Sequence, residues 1–73
     1  MNSGASTVRV VAHTLGFDAI AWIRFVDDDA SLRCEAYGVR HRRPIVAPIS
    51  VATGRVLQQA GCRTLLSRLA VAS

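Results

Sequence analysis

The residues able to do chemistry fall into three groups. Four consecutive basic side chains, Arg40-His41-Arg42-Arg43, make the densest charge in the chain. Trp22 and Tyr37 are its only Trp and Tyr. His13, His41, Cys34 and Cys62 are its only imidazoles and thiols. Guanidinium groups bind phosphate by charge-assisted hydrogen bonds, and an arginine run suits a nucleic-acid backbone. Aromatic rings stack on bases or anchor protein interfaces. Imidazoles and thiols supply acid–base, nucleophilic or metal chemistry.

Each group also has a plainer reading. Four bases in a loop are commonly just solvated. The two thiols have no CxxC spacing and the two imidazoles no HxxxH spacing, so no metal or cofactor is expected. Asp27-Asp28-Asp29-Ala30-Ser31 has oxygen ligands at alternate positions, as a calcium loop does. Leu32 and Gly38, however, stand where that loop needs Gly and a bidentate Glu, so a charged turn is expected. His13 and His41 with Tyr37 suggest acid–base phosphodiester cleavage of the small toxin-ribonuclease kind, but nothing fixes their mutual geometry. No phosphate loop, nucleophile elbow or dinucleotide fingerprint is present, and the chain is expected not to be an enzyme.

The elements that must position these groups belong to one small domain of 73 residues, 51% of them hydrophobic. That is too apolar for a disordered chain, and no apolar run reaches the ~18 residues of a membrane helix. All nine basic residues are Arg, and the net charge is +4. Residues 1–38 carry a net −2 and residues 39–73 a net +6 with no acid, an asymmetry that permits an anionic partner. Arginine without lysine suggests a GC-rich bacterial genome. The N-terminus lacks the pattern of a secretory signal, so the expected compartment is the cytoplasm, with reduced thiols and no membrane partner.

Residues 1–6 read as a frayed tail, and residues 7–73 as the domain. Three segments alternate like strands: Thr7–His13, Ala19–Val26 and Ser31–Val39. The basic loop 40–48 carries Pro44 and Pro48, which confine Ile45-Val46 to a short edge strand. Ser50 caps a helix over 51–60, with Gly61 at its C′ position. Its stripe is Ile49, Ala52, Val56, Leu57 and Ala60. Residues 62–72 return as a strand or, alternatively, form a second helix. The segment 56–69 resembles part of a bacterial helix-turn-helix, with Ala60-Gly61 at the turn. That likeness implies groove-facing Arg63, Ser67 and Arg68, and it keeps DNA among the possible partners.

The expected fold class is α+β, a small β-β-β-α-β domain with an antiparallel meander and one helix packed on one face. The covered face holds Val8, Val10, Ala12, Ala21, Ile23, Phe25, Leu32, Cys34 and Ala36. The bare face holds Arg9, Val11, His13, Ile20, Trp22, Arg24, Val26, Arg33, Glu35, Tyr37 and Val39. Interfaces select this mixture of Trp, Tyr and Arg among aliphatics. The first functional expectation is therefore a non-enzymatic homodimeric interaction or regulatory protein that uses this face or an edge strand. The alternative is an RNA- or DNA-binding protein using the basic face with the 40–43 loop. The candidate binding residues are Arg9, Trp22, Arg24, Arg33, Tyr37, Arg40, His41, Arg42 and Arg43.

Overall fold

In a computed structural model, which describes residues 3–68, the chain forms an α+β sandwich of two layers. The elements are α1 (Ser3–Thr14), β1 (Ala19–Asp27), β2 (Leu32–Arg40), β3 (Arg43–Ile49), α2 (Val51–Gln59) and β4 (Thr64–Arg68). The sheet order is β3-β2-β1-β4, with an antiparallel β1-β2-β3 meander and β4 parallel to β1. Both helices contact β1, and each contacts the other, so they share one face of the sheet.

The expected meander, helix and returning strand are all present, but shifted along the chain. Thr7–His13 is the middle of a helix rather than the first strand. Its β-branched residues favour extension, but Val8, Val11, Ala12 and Leu15 also fall at helical spacing. That stripe packs on the core, whereas Val10 is 64% exposed. Packing of an amphipathic face outweighs propensity here. Ser3–Ser6, expected to fray, lie within α1; residues 1 and 2 lie outside the described residues. The meander gains its third strand instead from Arg43–Ile49.

Both helices stop by the same device. After α1, the Phe17 and Gly16 amides donate to the Ala12 and His13 carbonyls. After α2, the Cys62 and Gly61 amides donate to the Leu57 and Gln58 carbonyls. Gly16 and Gly61 take φ of 85° and 95°, as the Schellman turn requires. Ser50 caps α2 as expected, its hydroxyl accepting from the Thr53 amide at 3.0 Å.

Pro44 and Pro48 sit on β3, which is an edge strand. In this register their missing N–H groups fall on the outer edge, where no ladder needs them. That edge therefore cannot accept β4, which crosses beneath with α2 and pairs with β1 instead. Thr64–Arg68 being a strand removes both the alternative C-terminal helix over these residues and the helix-turn-helix likeness. Residues 69–72 of that segment lie outside the described residues.

The core under the helices is small: Ala12, Phe17, Ile23, Phe25, Cys34, Ala36 and Leu57, while Val26 is buried by its neighbours on the opposite face of the sheet. Five residues expected within the core are exposed, namely Val10, Ala21, Leu32, Ala52 and Val56. The helix is rotated from the expected stripe, so that Gly54 and Leu57 face the sheet. A Cβ on Gly54 would lie 2.5 Å from Cys34 Sγ and 3.1 Å from the Phe25 ring. Glycine at this position lets the helix sit directly on two strands, although it costs helix propensity. Gly54→Ala is therefore expected to destabilise the fold by about 1–3 kcal/mol in urea unfolding, despite alanine's better propensity. The penalty should shrink in a Cys34→Ala background; equal penalties in both backgrounds would refute this contact.

Candidate interaction face and basic hairpin

The sheet face opposite the helices is bare among the described residues. β1 carries an irregularity between Ile20 and Trp22, where Ala21 is the extra residue. This β-bulge reverses the alternation, so Ile20 joins the helix side and packs on the core while Trp22 points the other way. Ile20 is thus not on the bare face, as alternation had placed it. Arg9, Val11 and His13 are not there either, because α1 carries them on the far side of the sheet.

What remains forms rows across the strands. Val46, Tyr37 and Trp22 lie side by side, followed by Pro48, Glu35, Arg24 and Leu65, and then by Arg33, Val26 and Ser67. Trp22 and Tyr37 stack with ring centroids 3.8 Å apart and planes within 5°. Such a pair is worth about 0.5–1.5 kcal/mol beyond its area. One carboxylate oxygen, Glu35 Oε1, accepts from Arg24 at 2.8 Å and 3.2 Å and from the Tyr37 hydroxyl at 2.9 Å. The Arg24 guanidinium also lies 5.4 Å from the Tyr37 ring centroid. Indole, phenol, carboxylate and guanidinium therefore lock one another in place. Glu35, the hub, lies on the expected bare face but is not among the candidate binding residues.

The arginine run occupies a different place. Arg40 and Arg43 close a hairpin whose two turn residues, His41 and Arg42, have φ of 51° and 64°. Positive φ at both central positions is the type I′ turn, where Asn-Gly is the favoured pair. A non-glycine residue there costs roughly 1–2 kcal/mol. Asp18 pins the tip from 23 residues away, its carboxylate accepting from the His41 amide at 2.8 Å. No local sequence signal marks that contact. By alternation, Arg40 and Arg43 project to the helix side. There, with Leu15, Phe17, Ile45 and Ala47, they line an open groove beside the end of α1.

The nine candidate residues thus separate into three places: Arg9 on α1; Trp22, Arg24, Arg33 and Tyr37 on the bare face; Arg40, His41, Arg42 and Arg43 at the hairpin. Arg40 and Arg43 therefore project from the sheet on the side opposite Trp22, Arg24, Arg33 and Tyr37. Burial pushes the Cys34 and Cys62 thiols up, which keeps both protonated and poorly nucleophilic. Asp28 of the acidic turn accepts from the Ser31 amide and hydroxyl, and so serves the turn itself. No group of three metal-ligating side chains occurs among the described residues. No helix among them is long and apolar enough to cross a membrane. No protein-family model, curated protein or solved structure matches the chain.

The Glu35 cluster carries a pH signature. The hydrogen bonds from Arg24 first, and from Tyr37 second, hold the Glu35 carboxyl below its ordinary 4.5. Its stabilisation is present above the unfolded value and is lost as pH falls through the folded one. Desolvation first, and the bond to Glu35 second, hold the Tyr37 phenol above its ordinary 10.0. That contribution is complete below the unfolded value and is lost as pH rises through the folded one. The urea midpoint, followed by Trp22 fluorescence, should therefore be flat across neutral pH and fall below 4.5. Glu35→Gln should shallow this acid limb, and an unchanged limb would show that the cluster is not coupled to folding.

Proposed function

We propose that the chain is a non-enzymatic, cytoplasmic interaction protein that works as a homodimer through its bare sheet face. The carrying observation is the locked Trp22–Tyr37–Glu35–Arg24 cluster on an uncovered sheet, flanked by Val46 and Leu65 at 55% and 40% exposure. An immobilised aromatic and arginine centre with an apolar surround is the anatomy of a protein interface.

Two features favour protein over a base-stacking partner. Tyr37 already has the indole on its ring and the guanidinium nearby, and so offers little free π surface. Glu35 neutralises Arg24 and repels phosphate. A second copy fits best because, among the described residues, the face carries only Arg24, Glu35 and Arg33 as charges, so two faces meet with little repulsion. Covering it also gives this small core the apolar burial that a monomer of this size lacks. Four strands of about seven residues give a footprint of roughly 19 by 23 Å. That is smaller than the ~800 Å² per partner of a standard interface, so micromolar affinity is expected.

Sedimentation equilibrium at rising concentration should carry the mass from 7.9 kDa towards twice that value. Trp22→Ala should weaken association roughly tenfold or more. A monomer mass at every concentration, or a Trp22→Ala variant that associates as well as the parent, would overturn this reading.

A further inference from the structure

We infer that the β2–β3 hairpin tip is a second binding site, a clamp for the phosphodiester backbone of duplex DNA, independent of the sheet-face reading. Three observations converge on it. First, none of Arg40, Arg42 and Arg43 has an ion-pair partner among the described residues. The nearest carboxylate identified at the turn, Asp18, is engaged with a backbone amide, so it fixes the turn's shape.

Second, Arg40 and Arg43 face each other directly in the ladder. Like charges at opposed positions destabilise a hairpin. Third, His41 and Arg42 occupy two consecutive left-handed positions that suit Asn and Gly. A fold optimised only for stability would place neither the charge pair nor these two side chains here. Strain and repulsion concentrated at one exposed point are the mark of a ligand site, and the ligand that relieves this repulsion is a polyanion.

The geometry narrows the choice. A two-residue turn presents its basic side chains at the end of a narrow two-stranded ribbon, a shape that the duplex major groove admits. Guanidinium groups on a mixed-sequence duplex would engage its phosphates, contacts that position the protein and carry no sequence information. The bare sheet face plays no part, because Arg40 and Arg43 project to the helix side.

The test is fluorescence anisotropy of the full chain with a labelled mixed-sequence DNA duplex, repeated over a series of salt concentrations. With three arginines engaged, the log–log salt slope should be about −2.7 per hairpin. Arg42→Gln with Arg43→Gln should reduce its magnitude by about 1.8 while leaving the dimerisation constant unchanged. His41→Asn with Arg42→Gly supplies the second arm. It should raise the melting temperature by roughly 4–8 °C while weakening DNA binding.

Absence of binding at low salt, or an unchanged slope in the Arg42/Arg43 double variant, would overturn the inference. So would capture by vesicles of anionic phospholipid without binding to the duplex. A lower melting temperature for the Asn-Gly variant would mean that His41 and Arg42 serve the fold itself, which would also overturn it. Failure of the dimer alone leaves the duplex binding, the salt slope, the vesicle control and the melting temperature intact.

Discussion

In a regular strand, residues three apart point to opposite faces, yet Ile20 and Ile23 of β1 both pack beneath the helices. The extra residue Ala21 makes this possible, and it is the constraint on which the rest of the sheet depends. Without it, either Ile20 would leave the core or Trp22 would enter it. With it, the core keeps both isoleucines, and Trp22 is delivered to the opposite face directly beside Tyr37. The same register brings Arg24 opposite Glu35. A single inserted residue therefore decides the content of both layers.

The second organising fact is that both helices lie on one side. The Schellman turns at Gly16 and Gly61 end each helix sharply and return the chain to the sheet. The close approach at Gly54 seats α2 over β1 and β2. Nothing in the described chain is left to cover the other face, and that face holds a cluster joined by ring stacking and by hydrogen bonds onto one carboxylate oxygen. Such a surface is rigid before any partner arrives, which lowers the ordering cost of binding. The hairpin tip is built on the opposite logic. Its charges are uncompensated, its backbone is strained, and one carboxylate holds it in shape.

Much of this was legible in the sequence, for identifiable reasons. The meander, the Ser50 cap, the Gly61 terminus and the Trp22–Tyr37 face all follow from local signals at short range. The helix at 3–14 was missed because Thr7, Val8, Val10 and Val11 are β-branched and also alternate. Gly16-Phe17-Asp18 offers the chemistry of a turn between strands, although an apolar residue after a glycine is also the ending of a helix. The bulge has no local signature, since AIAWIRFV alternates equally well without it. The Asp18–His41 contact joins residues 23 apart and emerges only with the strand register. Arg40 to Arg43 stood out as a basic loop, but only the register shows that the run is a two-residue hairpin facing away from Trp22.

The central claim is that the bare face around Trp22 is where this protein meets a second copy of itself. Acrylamide quenching of the single indole, compared between dilute and concentrated protein, reports on that surface directly. The account requires accessible Trp22 at high dilution and a several-fold drop in its quenching constant as concentration rises through the micromolar range. A quenching constant that does not change with concentration would mean that nothing covers the face, and the account would be wrong at its centre.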